Sequence, residues 1–209
     1  MIHRLILIAA VVAIAVPADA QAPKGWKFRA DRSTSASDPD APGAIKMTQM
    51  GQGFHAENPQ AAVFWSPDSV ATGTYALTGT FHLMKPSGHA NYYGLVFGGA
   101  ELDGANQNYL YFLVAQNGNW LIKHRAGDAT THDVVARTPS DAVRKPGADG
   151  RSANTLEVRV GAADLQFLIN GTLVHTAPKS GMTARTDGIY GARVNHQLDV
   201  HVDRFGVKK

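Results

Sequence analysis

The 209-residue chain contains no cysteine. That excludes disulfides, thiolate-held metal and a cysteine-linked lipid anchor. Charge is sparse at 18% of residues, and the only glutamates are Glu57, Glu101 and Glu157. Beyond residue 22 no apolar run approaches the roughly 20 residues that a membrane span requires. No helix-length amphipathic pattern is present there either. The net charge is +3 and is spread out. Nucleic-acid binding would call for a clustered basic stripe, so no nucleic-acid partner is expected.

What is present begins at the N-terminus. Met1-Ile2-His3-Arg4 is a short basic start. Leu5 to Val16 is an unbroken apolar run of twelve residues, ended by Pro17. Ala18-Asp19-Ala20 has the small-x-small form of a cleavage site. This is the three-part layout of a secretory signal. Residues 1–20 are therefore expected to be a signal peptide, and residues 21–209 a single domain. Export without cysteine suits a bacterial periplasm or medium, and the expected location is periplasmic or secreted. A mature chain of 189 residues is large enough to bury a core without staples.

The remainder reads as short strands separated by turns. Strands are expected near 44–49, 53–57, 61–65, 73–85, 91–98, 108–116, 119–125 and 132–137. Further strands are expected near 154–160, 164–169, 172–176, 188–194 and 198–207. Ala30 to Gly43, rich in Ser, Asp and Pro, reads as a loop. Asn117-Gly118 and Asn170-Gly171 sit between strand-like runs and suit type I′ hairpins. The second pair also opens an Asn-Gly-Thr sequon, for which the hairpin is the preferred reading. Gly161-Ala162-Ala163-Asp164 reads as a third hairpin turn. Leu156–Val160 and Leu198–Asp203 alternate apolar with polar, as strands with one solvent face do. Tyr92–Phe97 and Tyr109–Val114 are apolar on both faces and should lie centrally. The predicted fold is all-β, a two-sheet antiparallel sandwich or jelly roll.

Three stretches carry a family resemblance. They are Tyr92-Tyr93-Gly94-Leu95-Val96-Phe97-Gly98-Gly99, Asn108-Tyr109-Leu110-Tyr111-Phe112-Leu113-Val114 and Asn117-Gly118-Asn119-Trp120-Leu121-Ile122-Lys123-His124-Arg125. With Asn154–Val158, Phe167–Gly171 and Gly188–Gly191, they resemble the concanavalin A-like lectin/glucanase jelly rolls. Among these the chain resembles the bacterial exported 3-keto-disaccharide-hydrolase-like domains. The resemblance spans roughly residues 72–207. It implies a sandwich with one sheet facing a sugar, and fold alone does not assign function.

The candidate ligand-binding residues are Tyr93, Tyr109, Tyr111, Trp120, His124, Arg125, Arg193 and Asn195, with His89 and Asn91 nearby. The aromatics offer flat faces for sugar rings, and the polar groups offer partners for hydroxyls. The expected partner is a glycan or oligosaccharide. A protein-interaction sandwich without a small ligand is a further alternative. A glycoside hydrolase-like enzyme using Asp, His and Tyr groups is another, but the usual pair of flanking carboxylates has weak support. Glu101-Leu102-Asp103 begins like a Glu-x-Asp-x-x-Glu strand motif, yet Asn106 stands where the third acid belongs, and the segment reads as a loop. Asp199, His201 and Asp203 share one strand face but are roughly 6–7 Å apart, wide for one ion. Among the nine histidines no pair has a recognised ligand spacing. No cofactor and no metal site are therefore expected; a structural calcium stays open, with no Asp-rich loop to mark it.

Overall fold

In the computed structural model, residues 22–209 are described, and the expected signal peptide lies outside them. Fourteen antiparallel strands form two seven-stranded sheets. The first sheet contains β1 (Lys27–Asp31), β4 (Ala61–Ala71), β13 (Gly188–Val194), β6 (Tyr92–Ala100), β7 (Asn108–Ala115), β8 (Asn119–Ala126) and β9 (Thr131–Pro139), in that spatial order. The second contains β12 (Thr172–Pro178), β11 (Asp164–Ile169), β10 (Ser152–Val160), β5 (Tyr75–Lys85), β14 (Leu198–Lys208), β3 (Gly53–Asn58) and β2 (Lys46–Met50). The result is an all-β, concanavalin A-like jelly-roll sandwich. Among the described residues no helix is long and apolar enough to cross a membrane.

Period-two alternation turns one face of each sheet toward the other. Phe54, Phe64, Phe81, Phe97, Phe112 and Phe167 meet in this inter-sheet core with Leu77, Leu83, Leu95 and Leu156. Burying each such side chain contributes roughly 1.5–3 kcal/mol before entropy is counted. The two strands apolar on both faces, β6 and β7, are central as expected. Their second faces form a separate buried cluster with Val63, Trp65 and Leu121 on the outside of the first sheet.

Three local readings change. Lys27–Asp31 is a strand, paired Lys27↔Trp65 through Asp31↔Ala61, so Ala30 and Asp31 are not part of the loop expected from Ala30 to Gly43. β4 extends to Ala71 through Pro67, which a ladder would not tolerate. The β13 pairing jumps from Val70 to Trp65, so Pro67 sits in an irregular stretch where no N–H is required. The turn after β7 has a positive φ at Gly118 but not at Asn117. With Gln116 it forms a three-residue loop in place of the type I′ turn. Asn170 and Gly171 both have positive φ, 51° and 85°, as type I′ requires.

Candidate functional site

Asp31 ends β1 on the outer face of the first sheet, and three arginines converge on it. Arg193 from β13 donates through Nη1 to Asp31 Oδ2. Arg125 Nη2 of β8 lies 3.0 Å from the same oxygen, and Arg29 Nη1 lies 3.6 Å from Oδ1. Arg29 also donates to Asp128 Oδ1 at 2.6 Å. Below them lie Tyr109 and Tyr111 of β7. Arg193 Nη1 donates to the Tyr109 hydroxyl at 3.0 Å, and its guanidinium carbon sits 5.5 Å from the Tyr111 ring centroid. Arg193 Nε donates to Asn195 Oδ1 at 3.2 Å.

The register explains the convergence. Arg29 and Arg193 both pair with Val63, on either side of β4. Arg125 pairs with Tyr109 across β7–β8. Burial alone would raise the Asp31 carboxyl, but Arg193, Arg125 and Arg29 outweigh it and hold Asp31 below the usual carboxylate range. Burial pushes both tyrosine hydroxyls up, so they stay neutral donors. Burial works against the charge of Arg193, but the ionised Asp31 it donates to outweighs that and raises its pKa. The cluster is thus a fixed set of ionic hydrogen-bonding groups on a tyrosine floor.

Five of the predicted residues are brought together: Tyr109, Tyr111, Arg125, Arg193 and Asn195. The other three point elsewhere. Tyr93 is fully buried between the sheets, where its hydroxyl accepts from Asn154 Nδ2 at 3.3 Å. Trp120 also lies in the inter-sheet core, edge-on to Phe112 and tilted against His175. His124 alternates away from its neighbour Arg125 and packs on His132, with Nε2 3.2 Å from Asn108 Oδ1. Burial, then repulsion from His132, lowers its pKa. The flat stacking faces expected of the aromatics are also changed. Tyr109 and Tyr111 are 1% and 6% exposed, covered in part by Arg193. Arg29 and Asp31 are missed in the sequence because no strand is expected before residue 44 and Ala30 to Gly43 reads as a loop, although Lys27-Phe28-Arg29-Ala30-Asp31 alternates as a strand does.

Two cavities flank Asp31. One, about 170 Å³, is lined by Arg29, Asp31, Arg32, Arg125 and Asp128. The other, about 150 Å³, is lined by Asp31, Ser33, Asp38, Asp40, Asn195 and His196 among others. It leads to a group that sequence spacing did not reveal. His89 Nε2 and His196 Nε2 lie 2.9 and 3.1 Å from Asp38 Oδ1, and His196 Nδ1 lies 3.0 Å from Asp40 Oδ1. A larger cavity of about 550 Å³, lined by Lys46, Glu57, Lys85 and Asp199 among others, has no aromatic lining.

The remaining sequence candidates resolve plainly. Glu101 is exposed in the turn after β6 with φ of 50°, and Asp103 pairs at 3.7 Å with Lys27. Asp199, His201 and Asp203 do share one face of β14, but the carboxylates look sideways. Asp199 lies 2.7 Å from His55 Nε2 on β3, and Asp203 lies 3.3 Å from His82 Nε2 on β5. His201 sits between the two imidazoles.

This sandwich places the chain among the concanavalin A-like jelly rolls by fold. It is similar to a carbohydrate-binding module, CBM66 from Bacillus subtilis, with a TM-score of 0.61 and 10% identity, covering 91% of this chain and 98% of that one. It is also similar to the GH16 protein of a Bacteroides ovatus mixed-linkage glucan PUL, in complex with a G4G4G3G product. There the TM-score is 0.56 and the identity 11%, with 91% and 96% of the chains covered. At such identity the likeness is one of fold. No family model matches the chain, and no curated protein is similar to it in sequence.

Proposed function

We propose that this chain is an exported, glycan-binding jelly-roll protein whose site is the outer face of the sheet containing β13, β7 and β8. The observation that carries the reading is the Asp31–Arg29–Arg125–Arg193 cluster on its tyrosine floor. Guanidinium forks, a fixed carboxylate and the Asn195 amide are the donors and acceptors that sugar hydroxyls need. Recognition then runs through polar groups at the rim, since the rings are covered. The fold neighbours that bind or process carbohydrate support the same reading, as does the signal-like N-terminus for export.

The charge on this face narrows the ligand. Around the cavity lined by Arg29, Arg32 and Arg125 and along the adjoining strands, Lys27, Arg29, Arg32, Lys123, Arg125, Arg137 and Arg193 outnumber Asp31, Asp103, Asp128 and Asp133, while Asp38 and Asp40 lie at the other cavity. An oligosaccharide carrying carboxylates or sulfates fits that excess better than a neutral one. A glycan array including uronic-acid and sulfated oligosaccharides tests this. Binding should weaken as salt rises to ~0.5 M, where the Debye length shrinks to a few ångströms. It should also be lost in Arg125→Ala and Asn195→Ala. Failure to bind any glycan, or binding indifferent to both substitutions, would remove the reading. N-terminal sequencing of the exported protein should begin at Gln21.

Hydrolysis is the second reading, favoured by the resemblance to the keto-disaccharide-hydrolase-like group and by the Asp38–His89–His196 group beside the 150 Å³ cavity. Asp31, held ionised, is unsuited to be its general acid. Release of reducing ends from an array hit would support it.

A further inference from the structure

We infer that Asp38, His89 and His196 form a binding site for a divalent transition-metal ion of the zinc class. The three residues come from separate connections: the β1–β2 loop, the β5–β6 loop and the β13–β14 turn. Their ligand atoms form a nearly equilateral triangle. Asp38 Oδ1 is 2.9 Å from His89 Nε2 and 3.1 Å from His196 Nε2, and the two nitrogens are 3.2 Å apart. An ion held at about 2.0–2.1 Å from each ligand would separate tetrahedral ligands by about 3.3 Å, close to these edges.

The hydrogen bonds around the triangle argue for a cation inside it. Asp40 Oδ1 faces His196 Nδ1 at 3.0 Å, and Asp40 Oδ2 accepts from the Ser33 backbone N–H at 2.8 Å. A carboxylate only accepts, so His196 carries its hydrogen on Nδ1 and turns the Nε2 lone pair toward Asp38 and His89. This carboxylate–histidine pairing is the arrangement that orients a metal-bound imidazole. At His89 the neighbouring amide is already spoken for. Asn91 Nδ2 lies 3.1 Å from His89 Nε2, but its two hydrogens can go to the His196 carbonyl at 2.9 Å and Ser87 Oγ at 3.3 Å, which leaves the Nε2 lone pair for a cation. A carboxylate oxygen and imidazole lone pairs thus converge with no proton required between them when both rings are neutral. Two imidazoles and one carboxylate leave a coordination position open, and the 150 Å³ cavity adjoins it. His196 is 7% exposed and Asp38 48%, so the ion would enter from the loop side and seat against the sandwich. This inference does not depend on the glycan reading.

The test is calorimetric titration of the untagged purified protein, stripped of metal, with Zn²⁺, supported by the absorption spectrum of bound Co²⁺. One ion per chain should bind, with the visible bands of a low-coordinate Co²⁺ site. Asp38→Asn and His196→Ala should each weaken binding at least ~100-fold, and Asp40→Asn roughly 10–100-fold, as loss of an orienting partner does. His201→Ala, in the histidine row of the other sheet, should leave it unchanged. Asp38→Asn alters a half-exposed loop residue, so it remains informative if His196→Ala fails to fold. Absence of saturable Zn²⁺ binding would overturn the inference. So would binding lost in His201→Ala but kept in Asp38→Asn, or binding of Ca²⁺ in place of Zn²⁺.

Discussion

Replacing Asp31 with asparagine removes the one negative charge that three arginines share. Its side chain is 9% exposed, and those of Arg193 and Arg125 are 12% and 15%. Arg29 keeps a second partner in Asp128 at 2.6 Å, so the uncompensated charge falls on Arg125 and Arg193. Removing one partner of a buried ion pair costs roughly 3–5 kcal/mol. Residual solvent contact and the remaining amide oxygen put Asp31→Asn near the lower end, about 3 kcal/mol. For a chain of this size, at roughly 2–4 °C per kcal/mol, Tm should fall by about 6–12 °C. Urea unfolding followed by tryptophan fluorescence gives the free energy, provided the m-value is unchanged. Asp103→Asn, which breaks the exposed Lys27–Asp103 pair on the same face, is the internal control. It should cost no more than about 0.5 kcal/mol. The double variant Asp31→Leu, Arg193→Met should recover much of the loss, because an apolar pair leaves less charge unmatched. An Asp31→Asn cost no larger than that of Asp103→Asn would refute the account of a desolvated, mutually dependent cluster.

Three further outcomes follow from the geometry. Asn154, fully buried, accepts from the Arg144 N–H and the Asn170 amide and donates to the Arg144 carbonyl. Asn154→Ala strands these groups and should cost about 3 kcal/mol in urea unfolding, since each unsatisfied buried group costs roughly 1–3 kcal/mol. Trp120→Ala should destabilise by roughly 3–5 kcal/mol as a core cavity, while glycan affinity of the folded protein stays unchanged. The third outcome concerns pH. Burial, then repulsion from His82 and His55, lowers the His201 pKa against the pull of Asp203. Below about pH 6.5 the unfolded chain takes up that proton before the folded one, so the contribution of His201 to stability falls as pH drops. Asp199 is raised by burial despite His55, so its contribution has the opposite sign, and it is present in both proteins compared. Tm measured from pH 7.5 to 5.5 should therefore decline less steeply in His201→Gln than in the unaltered protein. Equal slopes would contradict the assignment.

The sheets were legible in the sequence because alternation and turn chemistry are local. Leu156–Val160 buries Leu156, Val158 and Val160 as its pattern indicates, and Asn170-Gly171 closes the expected hairpin. The two-faced strands β6 and β7 did mark the sheet centre. The site was only half legible. Parity separates His124 from Arg125 and Tyr93 from Tyr92, but the sequence alone does not say which parity faces the other sheet. Asp31 lay in a stretch whose Ser, Asp and Pro content reads as loop. The Asp38–His89–His196 group joins positions 51 and 107 residues apart, and no local spacing rule reaches across such connections.

The central claim is that a glycan meets the outer face of the first sheet at the arginine cluster. A heteronuclear NMR titration with an acidic oligosaccharide from the array, observing backbone amides and arginine Nε–H groups, tests it most directly. The account predicts the largest shifts at Arg125, Arg193 and Asn195, with neighbouring changes along β7 and β1. Shifts confined to the histidine row of β3, β14 and β5, or to the cavity lined by Lys46, Lys85 and Asp199, would contradict it.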